Sequence, residues 1–323
     1  MKKLRAGVIG VGYLGRFHAQ KYAALEGVEL VGVADANPER ADEIAQELAT
    51  RSFHDYRELI PLVDMVSIVV PTDLHFPVAR ECLDSDVHIL LEKPVTVTVE
   101  DAQKLIELAH SKSRVFQVGH LERFNPAIMA LDGKLKNPMF IESHRLAPFK
   151  IRGTDVNVIM DLMIHDIDII LNLVQSEVKQ VNAVGVPVLS GDVDIASARL
   201  EFANGCVANV TASRVSTEAM RKIRIFQPDA YFSIDYNARE LKIANKKSNE
   251  VDVNGIPVIS MNKESFPAAD ALMSEIKAFI DSIRSGKPPV VSGEDGKRAL
   301  EIALKINRDI KITSDASQAA AVI

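Results

Sequence analysis

Asp161, His165, Asp168 and Asn172 recur at spacings of four, three and four inside DLMIHDIDIILN, a segment otherwise as apolar as a buried core. At about 100° per residue the four fall on one helical stripe, with isoleucine, leucine and methionine over nearly all the rest and Asp166 as the other polar residue. An unpaired buried carboxylate costs several kcal/mol, so the stripe must find partners or line a pocket. The plainer account is a buried network in which His165 satisfies its neighbours. Two carboxylates on the histidine's own stripe favour a functional pocket. The chemistry such a set performs is general acid–base catalysis, because imidazole titrates near neutral pH.

A second set has the spacing of a nucleotide-binding turn. AGVIGVGYLGRFHA carries Gly10, Gly12 and Gly15 as GxGxxG between an expected strand and an expected helix. The motif uses Gly10 for a tight turn, Gly12 for close backbone approach to a pyrophosphate and Gly15 for helix packing. Tyr13 and Leu14 then stand at the first turn of the helix, whose N-terminus offers N–H groups and partial positive charge to phosphates. Asp35 closes the second expected strand, where a carboxylate accepts ribose hydroxyls and repels a 2′-phosphate. NAD is therefore expected over NADP, a preference that Arg40 would soften by folding back toward the ribose. Two further strand ends carry chemistry: Pro71, Thr72 and His75 in PTDLH, and Glu92 and Lys93 in LEKP, where Pro94 fixes the backbone behind them. A lysine in a partly desolvated crevice has its charged form disfavoured.

These residues need elements to hold them. In the first third, apolar runs at 6–9, 30–34, 65–70, 88–91 and 115–118 alternate with amphipathic segments at 38–49, 77–83 and 99–110. Strands apolar on both faces and joined by helices form a parallel sheet covered on each side. Residues 1–121 are thus expected to be a doubly wound, Rossmann-type α/β domain. The pattern changes after Gly119. RFNPAIMALDGKL reads as a helix with Asn125 as N-cap and Pro126 at its first position, and the stripe helix occupies 158–174. Strands at 139–146, 178–184, 195–202, 206–213, 222–226, 231–236 and 241–244 follow almost without helices, with Asn204-Gly205 as a hairpin turn. Residues 122–323 are expected to be an α+β domain with a largely antiparallel, open sheet, closed by helices at 269–284 and 294–310. One face of that sheet lacks a helical cover, so a homodimer or homotetramer stacking these sheets is expected.

The chain has 323 residues, 47% hydrophobic and 25% charged, with a net charge of -6. That composition excludes disordered and fibrous classes and argues against a nucleic-acid partner. Only Cys82 and Cys206 occur, in no metal or disulfide pattern, and no apolar run spans a membrane, so a cytoplasmic protein without a bound metal is expected.

Taken together, GxGxxG with Asp35, EKP at 92–94 and DLMIHDID at 161–168 resemble the glucose-fructose oxidoreductase, inositol dehydrogenase and MocA family over nearly the whole chain. The resemblance implies that Lys93, Asp161 and His165 meet at the substrate carbon that exchanges hydride with the nicotinamide. Members often carry glycine where this chain has Met163, a departure that reshapes the pocket. GHLERFNPA at 119–127 resembles the branch that oxidises carbon 3 of UDP-N-acetylglucosamine, supplying a 3-keto sugar nucleotide for transamination toward lipid A diamino sugars. It points to His120, Arg123 and Asn125 at the substrate. Arg123, Arg145, Lys150 and Arg152 are cations suited to a diphosphate, although a solvated basic face is the plainer account of any one of them. An inositol or simple-sugar dehydrogenase, an NAD-dependent glycosidase and a non-catalytic NAD sensor or scaffold are the alternatives.

Overall fold

The computed structural model describes residues 3–149, 157–251, 255 and 257–312. The chain separates into two compact units, Met1–Phe124 with Asp270–Leu300 and Asn125–Ala269 with Glu301–Ile323. In the first, the alternating pattern becomes β1 (Leu4–Ile9), α1 (Tyr13–Ala24), β2 (Val28–Ala34), α2 (Pro38–Glu47), β3 (Arg51–Phe53), α3 (Tyr56–Leu59), β4 (Met65–Ile68), α4 (His75–Asp84), β5 (His88–Glu92), α5 (Val99–Ser111) and β6 (Phe116–Gly119). The strands lie in the order β3-β2-β1-β4-β5-β6, all parallel. This is the doubly wound sheet the sequence implies, with β4 buried at every residue. The order reverses between β1 and β4, which opens a ligand crevice at the carboxyl ends of these strands. β3 escapes the sequence pattern because three residues are too few to show a period and Arg51 is exposed.

The second unit holds α6 (Pro126–Met129), β7 (Phe140–Leu146), a π turn (Ile159–Met163) running into α7 (Ile164–Val174), and strands β8 (Val178–Val186), β9 (Ile195–Phe202), β10 (Val207–Ser213), β11 (Met220–Gln227), β12 (Ala230–Asp235), β13 (Glu240–Val251) and β14 (Pro257–Ser265). After α8 (Ala271–Ser285) and α9 (Gly293–Asp309) comes β15 (Lys311–Ile312). The described sheet runs β14-β13-β12-β11-β7-β10-β9-β8-β15. It is antiparallel apart from the β7–β10 and β8–β15 pairs. The turn at Asn204 and Gly205 joins β9 to β10 as expected. α7 packs on β7 and β10, burying Ile164, Ile167, Ile170 and Leu171. β14 was not expected, since most of its residues are exposed and show no core-facing alternation.

Two expectations change. The helix expected from Asn125 onward stops at Met129; Asn125 does cap it, accepting the Ala127 N–H at 3.1 Å, but turns follow and Gly133 takes a φ of +70°. The division at 121/122 treats the chain as two successive pieces, whereas residues 270–300 group with the first unit. The cause is the apolar stripe of α8, whose Leu272, Ile276, Phe279 and Ile280 join Val8, Ala19, Tyr22 and Val33 in one core.

Candidate functional site

The glycine loop meets each demand of the motif. Gly10 has φ +84°, and a Cβ there would stand 2.6 Å from the Val69 carbonyl oxygen. A Cβ at Gly15 would lie 1.9 Å from the Gly10 carbonyl oxygen, so α1 reaches β1 only with glycine at that position. Gly12 is different, for nothing lies within 4 Å of the Cβ it lacks. It is the N-cap of α1 and supplies no side-chain cap, whereas Asn37, Thr98 and Asp270 cap α2, α5 and α8 with their own side chains. The first N–H groups of α1 are thereby kept for an anion. Tyr13 is exposed, packed edge-on against Phe17, and Leu14 is half-buried.

Asp35 stands at the end of β2, as expected. Its Oδ2 accepts the Val11 N–H at 2.8 Å and its Oδ1 the Asn37 N–H at 2.9 Å, which pins the carboxylate beside the loop. Arg40 folds back onto the same loop, donating from Nε to the Val11 carbonyl at 2.8 Å and from Nη2 to that of Gly12 at 3.3 Å. Its Nη1 donates to Glu43 at 2.6 Å. Carboxylate, guanidinium and uncapped helix together fit the adenosine and diphosphate end of a dinucleotide.

Pro71 and Thr72 follow β4 at the surface, Pro71 exposed and Thr72 half-buried. His75 is buried and bridges two loops, with Nδ1 2.9 Å from the Pro94 carbonyl and Nε2 3.0 Å from that of Val70. Burial pushes its pKa down against the opposing pull of those carbonyls. Lys93 follows β5, half-buried, with a cis peptide bond to Pro94. Glu92 turns back into the protein, where its Oε1 lies 3.2 Å from Nε2 of His18. Sequence reading did not single out His18, Tyr22, Ser67 or Glu275. The available signal was polar residues in inward positions, Ser67 inside the fully buried strand MVSI above all.

Farther along, His120 is buried and accepts the Arg123 N–H on its carbonyl at 3.0 Å. Arg123 is also buried, its Nη2 3.8 Å from Asp295.

In the second unit the polar stripe is interrupted. Asn157 opens it, its Oδ1 accepting the N–H groups of Ile159 at 3.2 Å and Met160 at 3.0 Å. The π turn holds Asp161, and α7 takes over before His165, so a uniform helical projection does not carry across Met163. Single π turns inside helices recur at functional sites. Asp161, His165 and Asn172 are half-exposed, while Asp168 is buried with Ile164, Ile167 and Ile170. Asp166, off the stripe, is buried too. Its Oδ2 accepts from Arg145 Nε at 2.5 Å and its Oδ1 from Ser143 Oγ at 2.7 Å. Arg145, half of whose signal was its inward position on alternating β7, is 3% exposed and lies over the Tyr236 ring at 5.7 Å. Lys150 and Arg152 lie outside the described residues.

Among the described residues no His, Cys, Asp or Glu cluster has metal-binding geometry, and no helix is long and apolar enough to cross a membrane. Cys82 and Cys206 are buried, and burial pushes the Cys206 thiol up to about 11.

Comparison with known proteins is consistent along the chain. Residues 4–120 match the oxidoreductase family with an NAD-binding Rossmann fold, GFO/IDH/MocA, and residues 139–231 match the GFO/IDH/MocA C-terminal domain. The UDP-N-acetylglucosamine 3-dehydrogenase of Acidithiobacillus ferrooxidans is 44% identical over 95% of this chain and 97% of its own. A solved structure of that enzyme superposes with a TM-score of 0.89 at 42% identity, covering 96% of this chain and 98% of the other. The myo-inositol 2-dehydrogenase of Thermotoga maritima is 27% identical over 95% of this chain and 96% of its own.

Proposed function

This chain belongs to the GFO/IDH/MocA oxidoreductase family, and from that premise we propose that it oxidises carbon 3 of UDP-N-acetylglucosamine to a 3-keto sugar nucleotide, with NAD as the hydride acceptor. The observation that carries the substrate is the 44% identity to a UDP-N-acetylglucosamine 3-dehydrogenase across 95% of the chain. NAD rather than NADP follows from Asp35, whose carboxylate repels a 2′-phosphate, and from Arg40, whose guanidinium is engaged with Val11, Gly12 and Glu43.

A nicotinamide held at this crevice would supply the hydride acceptor for the carbinol carbon; the chain's own residues handle the proton. His165 accepts the hydroxyl proton as the carbonyl forms. Asp161 orients the sugar and stabilises the imidazolium, and Lys93 stabilises the developing alkoxide. His120, Arg123, Asn125, Arg145 and Arg152 support the substrate end, those that are buried by shaping the wall rather than by exposing charge. The pattern of half-exposed Asp161 and His165 on a segment whose other residues are mostly buried supports these roles.

The second unit's open sheet face supports a homodimer or homotetramer. Phe140, Phe226 and Tyr231 stack across three strands there, with ring centroids 5.9 and 5.0 Å apart. Sedimentation equilibrium tests the assembly, and the location of the enzyme is proposed to be the cytoplasm.

The test of function is NADH formation with UDP-N-acetylglucosamine, myo-inositol and glucose in parallel, each with a ketone trap. The expected outcome is signal with the sugar nucleotide alone, reduced about 10²- to 10⁴-fold in His165→Ala and similarly in Lys93→Ala. Signal with inositol alone replaces the substrate, and tight NAD binding without any turnover replaces the enzyme with a sensor. Rescue of Lys93→Ala by small amines, with no rescue of His165→Ala by imidazole, would move the base to Lys93.

A further inference from the structure

Behind the strand end that carries Lys93 lies a buried polar chain that this chemistry does not use. It starts in the core, where Tyr22 Oη is 2.9 Å from Ser67 Oγ. Ser67 Oγ is 3.0 Å from His18 Nδ1, and His18 Nε2 is 3.2 Å from Glu92 Oε1. The second oxygen of Glu92 accepts the N–H of Lys93 at 3.3 Å. Room for this carboxylate comes from Gly119, since a Cβ there would stand 2.8 Å from Glu92 Oε1.

α8 brings a second acid to the same place. Glu275 is fully buried, and neither of its carboxyl oxygens has a hydrogen-bond partner. Its backbone carbonyl accepts from Gln117 Nε2 at 3.1 Å, and Gln117 Oε1 is likewise buried without a partner. The patch is therefore rich in acceptors and short of donors. A single proton on Glu275 supplies the missing donor. The formal charge that acts on Glu275 is that of another carboxylate, Glu92; burial first and Glu92 second push its pKa well above the ordinary glutamate range. Tyr22 is raised by burial as well. The chain ends at Tyr22 in the core, and Glu92 at its other end is partly exposed.

We propose that Glu275, buried on the helix packed against β5, is a neutral carboxylic acid, and that its neutrality lets Glu92 hold the strand end bearing Lys93. Glu275 is thus a positioning residue, and ionising it places two negative charges behind the cofactor crevice and weakens dinucleotide binding. The inference rests on the reading of that strand end as part of the cofactor site. The elements packed against α8 bring further titratable and charged groups. α1 contributes His18 and Tyr22, with Lys21 paired to Asp270 at 2.6 Å. β5 contributes Glu92, whose charge also reaches the buried His75. The turn at 121–124 contributes Glu122 and Arg123, the latter facing Asp295.

Infrared difference spectroscopy on protein with isotope-labelled glutamate reads the proton directly, without substrate. A protonated carboxyl band is expected at neutral pH in the wild type, absent in Glu275→Gln, and titrating at lower pH in Glu92→Gln, where the second charge is gone. In parallel, NADH affinity followed by fluorescence should weaken about tenfold (of order 1.4 kcal/mol) as the wild-type band disappears at alkaline pH. In Glu275→Gln it should stay at the wild-type neutral value throughout. No protonated carboxyl band at neutral pH overturns the inference, as do superimposable NADH profiles for wild type and Glu275→Gln. If Glu275→Gln does not fold, an unshifted titration in Glu92→Gln overturns it instead. Neither readout involves a sugar, so failure of the proposed substrate leaves both intact.

Discussion

The two units bury carboxyl groups by opposite means. In the second, Asp166 meets Arg145 at 2.5 Å and the Ser143 hydroxyl at 2.7 Å. Asp194 accepts N–H groups from Val188, Leu189 and Ser190 at 2.8, 2.6 and 2.8 Å, the Ser190 hydroxyl at 2.6 Å, and Arg214 Nε at 2.8 Å. Burial alone would raise the Asp194 pKa, but Ser190 and Arg214 hold it far below the usual carboxylate range. In the first unit Glu275 has no such partners and faces a like charge. A buried charge survives where cations and N–H donors replace its hydration; elsewhere the proton stays on. The consequences differ as well. The Arg145–Asp166 pair ties α7 to β7 and so bears on which face of the Asp161–His165 segment looks outward. Glu275 leaves the Lys93 strand end sensitive to pH.

The largest way to break this contrast is Arg145→Met, which strands Asp166 as an uncompensated buried charge. Urea unfolding should show a loss of about 3–5 kcal/mol, most of it recovered in Arg145→Met/Asp166→Asn. A single-variant loss near zero would mean that Asp166 is not held as an ion. Glu275→Gln should act in the opposite direction. The folded-state pKa of Glu275 is raised, so its favourable contribution is complete below the unfolded-state value of about 4.3 and is lost as pH rises toward the folded-state value. The glutamine variant, which has no proton to lose, should therefore gain on the wild type between mildly acidic and neutral pH, by about 1–3 kcal/mol. Unfolding curves at several pH values check this, and a pH-independent difference would put Glu275 with the paired carboxylates. The smallest effect is expected for Ser143→Ala, about 1–2 kcal/mol in the same unfolding assay, because Arg145 continues to hold Asp166.

Much of the cofactor end was legible because its demands are local. Gly10, Gly12 and Gly15 answer to backbone geometry within a few residues of themselves, and Asp35 ends a strand whose neighbours are apolar on both faces. The same holds for the doubly wound order of the first unit and for the Asn204-Gly205 hairpin, where side-chain period and turn chemistry are written in consecutive residues. What escaped was whatever depends on the far end of the chain. The apolar stripe of α8 announces a buried face but not which core receives it, so the return of residues 270–300 to the first unit had no sequence signal. Helical periodicity shows Asp161 and His165 as a polar stripe, yet it does not show the π turn that holds Asp161. Arg145 reads as a cation suited to a diphosphate until β7 sets it against Asp166, and Glu275 draws no notice until α8 buries it beside Gln117. Local sequence dictates backbone conformation and which face is apolar; the charge a buried side chain carries is decided by partners that only tertiary packing brings within hydrogen-bonding distance.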